Sequence, residues 1–206
     1  GGLSINPNNP VAPVESGTGF AELKFGPKYT FIRNIASGTI AAAGINFEVP
    51  VGSSTVFQNV GSLSIDPYIT FGQTFGQVLP GGWGSFNLLA NLGYSVSVDN
   101  KRSDFMFSSL HLDYNVANMN TFFPLIEMNW LHYTNAGNSN NLGTEGADLV
   151  NFGSSTRRGR DYISLAAGMR YRFNEHIIAG GAFEVPVTNE KGIADYRLTF
   201  DVIFRY

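Results

Sequence analysis

The chain has 206 residues, a formal net charge of −3 and 14% charged residues, against ~25% in an ordinary soluble domain. That balance argues against nucleic acid as a partner. The absence of cysteine excludes a disulfide framework and cysteine-ligated metal.

Residues 1–19 are rich in Pro, Asn and Gly, have no period, and read as an extracellular loop or N-terminal segment. From residue 20 onward, apolar and polar residues alternate in stretch after stretch. Ala21–Phe31 carries Leu23, Phe25, Tyr29 and Phe31 against Glu22, Lys24, Lys28 and Thr30. In Ala41–Val51, Ile45, Phe47 and Val49 oppose Gly44, Asn46 and Glu48, and in Leu63–Phe71, Ile65 and Ile69 oppose Asp66, Tyr68 and Thr70. Phe86–Val96 sets Leu88, Leu92 and Tyr94 against Asn87, Asn91 and Ser95, and Met106–Val116 sets Leu110, Leu112 and Tyr114 against Ser109, His111 and Asp113. Phe122–Tyr133 is less regular, with Ile126, Met128 and Trp130 opposing Glu127 and Asn129. Ile163–Phe173 places Leu165, Met169 and Tyr171 against Ser164, Arg170 and Arg172, and Ile177–Val187 places Phe183 and Val185 against Glu184. The last stretch, DYRLTFDVIFRY, alternates Tyr196, Leu198, Phe200, Val202, Phe204 and Tyr206 with Arg197, Thr199, Asp201 and Arg205; Ile203 is the exception.

A strict two-residue period makes one face of a strand apolar and the other polar. Nine such stretches of ~10–14 residues match tilted strands that span a bilayer. No apolar run approaches the ~18–20 residues of a spanning helix, and a mean hydropathy of −0.03 fits lipophilicity hidden in alternation. Connections alternate between compact ones (34–38, 76–82, 117–120, 174–175) and more polar ones (52–61, 98–103, 135–160, 190–194), as in bacterial barrels. A terminal aromatic with no tail behind it would leave a hazardous edge on a soluble sheet, whereas a closed barrel has no edge. The expected fold is therefore all-β: an antiparallel transmembrane up-and-down β-barrel over residues 20–206, with about nine strands visible and ten or twelve in the complete barrel. The even number follows from parity: an external segment 1–19 followed by nine strands leaves the two ends on opposite sides of the membrane. At least one further N-terminal strand is therefore expected outside this sequence. A soluble ligand-binding barrel, with the apolar face turned inward, is the rival.

Two segments are alike. FEVPV occurs at Phe47–Val51 and Phe183–Val187, placing Glu48 and Glu184 each two residues before a proline. Similar strands meeting the same rim geometry account for this most simply.

Five stretches together resemble a family of bacterial outer-membrane transporters associated with the meta-cleavage pathway of phenol degradation. They are LKFGPKYTF (Leu23–Phe31), FEVPVGSS (Phe47–Ser54), NLLANLGYSVS (Asn87–Ser97), AAGMRYRFNEH (Ala166–His176) and the terminal DYRLTFDVIFRY. The Gly-Pro in the first strand and the Asn-rich 135–160 loop depart from the pattern. The resemblance implies an outer-membrane channel or carrier for small apolar or aromatic compounds. It also implies that the terminal Phe204 and Tyr206 belong to an assembly signal.

If the apolar faces meet lipid, the polar faces line a lumen. Glu22, Glu48, Asp66 and Glu184 fall toward the outer end; Lys28, Arg170, Arg172 and Arg205 fall toward the periplasmic end, and Arg197 interrupts the trend near the outer rim. His111, Asp113, Glu127 and Asp201 complete the set of lumen-lining selectivity candidates. They form either a structural ion-pair network or an acidic entrance leading to a basic constriction. No catalytic site is expected. Ser109, His111 and Asp113 share a face, but a two-residue spacing sets them about 7 Å apart by strand rise, too far for a hydrogen bond. No metal or cofactor motif is evident, and the Asn-rich loop reads as solvated surface. The expected function is an outer-membrane, porin-like channel or transporter for small solutes, hydrophobic or aromatic compounds among them. The alternative is a structural barrel anchoring an envelope or surface assembly. The expected partners are outer-membrane lipid and lipopolysaccharide, the barrel-assembly machinery and a small-molecule solute. A homo-oligomer or an envelope protein is a further candidate, and the expected location is the bacterial outer membrane.

Overall fold

In the computed structural model of the chain, residues 19–53, 59, 61–76, 83–139, 143–189 and 192–205 are described. The expected external segment lies outside them except for Gly19, as do Asn140, Asn141 and Tyr206, the last residue of the expected assembly signal.

Each alternating stretch is a strand. In chain order these are β1 (Leu23–Phe25), β2 (Lys28–Asn34), β3 (Thr39–Val49), β4 (Ser64–Phe75) and β5 (Gly84–Ser97), then β6 (Asp104–Val116), β7 (Phe122–Asn135), β8 (Asp161–Arg172), β9 (Ile177–Pro186) and β10 (Arg197–Phe204). The first expected strand appears as two pieces because of Gly26-Pro27. Proline has no N–H for the ladder, although Pro27 O still accepts a bond from Ile45 N at 3.1 Å. Gly26 lies so close to β3 that a Cβ would come within 1.8 Å of Ile45 O. The register carries through the break, with Phe25 opposite Phe47 and Lys28 opposite Gly44. β1 and β2 are thus one interrupted strand, and the ten strands occupy nine places.

The strands form one antiparallel up-and-down sheet in the order β1/β2, β3, β4 and so on to β10. Among the described residues no pairing joins β1 or β2 to β10, so the sheet has two edges and is not closed. Of the described connecting residues, 35–38, 76, 83, 117–121 and 173–176 lie at one end of the sheet, and 50–53, 59, 61–63, 98–103, 136–139, 143–160, 187–189 and 192–196 at the other. Gly38 (φ 67°) and the Ala117, Asn118 and Asn120 cluster (φ 51–55°) supply the left-handed backbone that the tight turns require.

Register assigns the faces. Ala90, Leu110, Met128, Leu165 and Val185 stand in one cross-strand row, and Leu88, Leu112, Ile126, Ala167, Phe183 and Leu198 in another. On the opposite face His111, Glu127, Ala166, Glu184 and Arg197 form a row. A one-residue slip would exchange the two sets, so the register is strongly specified. The apolar face is the exposed one: Ile126 is 59% exposed, Leu198 58% and Phe200 80%. The only hydrophobic cluster among the described residues sits on the polar face near the long loops, where Leu131, Ala147 and Tyr162 pack with Phe105 and Phe107. Gly93 makes room for it, because a Cβ there would come within 2.2 Å of the Phe107 ring. Gly93→Val is expected to force that ring out and lower stability by about 1–3 kcal/mol. An unchanged denaturation midpoint would show that the ring has space to move.

Candidate functional site

The polar face carries three linked clusters. At the long-loop end, Glu22, Lys24 of β1, Glu48 of β3 and Asp66 of β4 converge on Arg102, from the turn before β6. The Arg102 guanidinium pairs with both Glu22 and Glu48. Lys24 Nζ lies 2.5 Å from Asp66 Oδ2 and 3.5 Å from Glu48 Oε2. Arg102 and Asp66 are almost completely buried, yet Arg102 Nε and Asp66 Oδ1 have no hydrogen-bond partner among the described residues. Burial first, and then the neighbouring Glu48, push the Glu22 carboxyl up to about 7 against the pull of Arg102. Arg102 is absent from the sequence-derived set because its segment reads as a polar turn. Only the curl of the sheet brings it to strands far away in sequence.

The middle cluster corrects one expectation. His111 Nε2 lies 3.3 Å from Asp113 Oδ2, and His111 Nδ1 lies 3.1 Å from Glu127 Oε2 on β7. Strand rise separates the Cα atoms, but the two side chains lean toward one another along the strand. Both ring nitrogens face carboxylates, so neither is available as a base for Ser109. The hydrogen bonds continue in both directions. Asn87 Nδ2 donates to Asp113 Oδ1 (2.7 Å) and Thr74 Oγ1 donates to Asn87 Oδ1 (2.9 Å). Asn129 Nδ2 donates to Glu127 Oε1 (3.1 Å) and to Glu184 Oε1 (3.2 Å). Glu184 also accepts from Ser164 Oγ and from Arg197 Nε (2.6 Å). A polar belt therefore crosses the sheet from β4 to β10.

Toward the short-turn end, Arg170 Nε lies 3.1 Å from Asp201 Oδ2. Arg172 sits over the Phe123 ring at 5.9 Å, and its buried Nε has no partner among the described residues. Arg205 lies just beyond β10 and is exposed, as is Phe204. A 450 Å³ cavity is lined by Lys28 and Thr30 from β2 together with His111, Glu127 and Arg170 from β6, β7 and β8. A second, of 300 Å³, joins His111, Glu127 and Arg170 to Glu184, Arg197 and Asp201. The sheet is curved enough for β2, in its first place, and β8, in its seventh, to face one space.

Asn135 and Asn138 of the Asn-rich stretch are exposed, as expected of solvated surface, but residues 145–154 further along the 136–160 connection fold onto the polar face. Glu145 is buried and accepts from Ser103 Oγ (2.8 Å), Ser154 N (3.0 Å), Gly146 N (3.2 Å) and Phe152 N. Ala147 packs on Leu131 and Tyr162, and Asp148 accepts from Arg197 Nη1 at 2.7 Å. Gly153 (φ 63°) passes so close to Lys101 that a Cβ would come within 1.8 Å of its carbonyl oxygen. The polar belt thus runs on through Arg197 into this loop.

The FEVPV pair also acquires a physical meaning. Glu48 and Glu184 stand near the long-loop end of the polar face, and each is held by an arginine, Arg102 and Arg197 respectively. On the other face, Trp130 Nε1 donates to Asp161 Oδ1 at 2.9 Å. His132 Nδ1 lies 2.9 Å from the same oxygen, and its ring stacks on Trp130. Among the described residues no group of His, Asp and Glu side chains has the arrangement of a metal site.

No family model matches the chain, and no curated protein or solved structure matches it.

Proposed function

We propose that the curved sheet is the wall of an outer-membrane β-barrel that conducts small solutes. One observation carries this: the polarity of the sheet is inverted. The outward face exposes Phe25, Ile69, Ile126, Leu165, Met169, Phe183, Leu198 and Phe200, each at least 46% exposed. The concave face holds the ion pairs and the cavities. A contiguous apolar face of this extent is foreign to a soluble monomer and suits hydrocarbon. Trp130, His132 and Tyr196 near one end, and Tyr29, Phe71, Phe86, Tyr171 and Phe204 toward the other, fit the two aromatic girdles of a barrel. Closure would remove the free edges at β1/β2 and β10, which otherwise offer unpaired backbone groups.

Planar-bilayer recording tests the conducting role. Discrete channels are expected, and vesicles containing the protein should take up small solutes. Silence in both assays from a verified, inserted protein would refute the proposal. Such silence would favour the second reading, a structural barrel. That reading is supported by the near-complete pairing of the polar-face carboxylates and by the loop folded across that face.

Within the conducting reading, Arg170 and Arg172 are the cations best placed to bias permeation, with Glu48, Glu127 and Glu184 as the acidic counterparts. Charges on low-dielectric walls act strongly on a passing ion. Reversing Arg170 and Arg172 together to Glu is expected to shift reversal potentials toward cation selectivity. Unchanged selectivity in an open pore would remove both residues from the pathway.

A further inference from the structure

The cavity at the long-loop end differs from the other two. It measures 340 Å³, within the range of small-molecule sites. One wall is apolar: Phe105, Phe107 and Leu131 from β6 and β7, with Ala147, Leu149 and Val150 from the folded-in loop. The other is the charged cluster of Glu22, Lys24, Glu48, Asp66 and Arg102, in which Asp66 and Arg102 are buried and Lys24 is exposed. Such a site has an apolar half and a polar half, which is how ligand pockets fix orientation.

We propose that this cavity binds a small organic amine, with its apolar body against Phe105, Phe107 and Leu131 and its ammonium beside Asp66. Two observations identify the head group. First, the cluster holds three carboxylates against two cations. Its formal charge with Glu22 ionised is one negative, so a cation completes it and an anion is repelled. Second, Asp66 is 1% exposed and, among the described residues, its Oδ2 meets Lys24 while its Oδ1 has no donor. A buried, unsatisfied carboxylate oxygen costs free energy that an ammonium N–H would recover.

Glu22 adds a pH dependence. It pairs with Arg102 beside Glu48, and Lys24, Asp66 and Asp148 line the same cavity. Its carboxyl titrates near neutrality, and the cation binds best when it is ionised. Affinity for the amine therefore rises from about pH 6 to about pH 8 and then levels off.

Titration calorimetry on the full chain in detergent micelles tests this, with three probes of similar size: 2-phenylethylammonium, 2-phenylethanol and 3-phenylpropanoate. The ammonium is expected to bind at least about tenfold more tightly than either of the others. Asp66→Asn is expected to remove that advantage and leave the alcohol unchanged. Equal affinities for amine and alcohol, or wild-type amine binding by Asp66→Asn, would overturn the proposal. Should Asp66→Asn fail to fold, Leu149→Trp fills the cavity from an exposed loop position without touching the ion pairs. It is expected to abolish amine binding, and wild-type binding by that variant would also overturn the proposal. Binding needs no conductance. A silent bilayer with amine binding intact would remove the pore and keep this site; channels without amine binding would do the reverse.

Discussion

Replacing Glu145 with alanine is expected to release the middle of the 136–160 loop from the polar face. This one buried carboxylate accepts from the backbone N–H groups of Gly146, Phe152 and Ser154 and from the Ser103 hydroxyl. Each buried donor left without an acceptor costs about 1–3 kcal/mol. Losing several at once exceeds what the apolar contacts of Ala147 return. The loop, not the sheet, should therefore open. Limited proteolysis of the folded protein in detergent checks this. Cleavage within 143–156 should become much faster, with the strands still protected. If the barrel conducts, unit conductance should rise several-fold as the loop leaves the lumen. Glu145→Gln, which keeps one acceptor oxygen, should fall between. A loop as protease-resistant as the wild type would show that the Ala147 and Asp148 contacts hold it without Glu145.

That loop also marks where sequence reasoning stopped. Side-chain alternation is local, so the place of each strand was legible from residue spacing, including Ile203 as the exception in the last one, but the register shift between Thr30 and Ile32 of β2 was not. Gly26-Pro27 was visible as an irregularity, and the structure shows its effect to be a lost ladder bond with no change of register. The facing of Glu48, Asp66, His111, Glu127, Glu184 and Arg197 followed from the same period. Which of them touch did not. Contact across strands depends on register and on the lean of side chains, and the His111–Asp113 bond was missed because strand rise measures Cα separation only. Arg102 and Glu145 carried no signal, since both lie in connections where no period exists. Phe105 and Phe107 were hidden for another reason. They place aromatics on the polar face, and their partners Ala147 and Tyr162 are distant in sequence. The polar face is thus a surface whose composition is readable in one dimension and whose pairing exists only in three.

The two faces should respond oppositely to a new charge. Leu165 stands mid-strand in the apolar row between Met128 and Val185 and is 46% exposed. If lipid covers that face, an arginine there lies near the bilayer midplane and costs about 2–4 kcal/mol. Leu165→Arg is therefore expected to block refolding into lipid vesicles or to shift the denaturation midpoint strongly downward. Thr199 of β10 lies on the other face, in the row with Ala182 and Gly168, next to Asp201. Thr199→Arg is expected to refold with nearly the wild-type midpoint, because its guanidinium enters a polar space already lined by carboxylates. A soluble sheet predicts the reverse for Leu165. There an arginine would replace an exposed leucine in water, which is neutral or favourable. Wild-type-like folding of Leu165→Arg, together with a protein that stays monodisperse without detergent, would therefore place water rather than lipid against Ile126, Leu165 and Phe200. It would end the membrane reading at the face on which it rests.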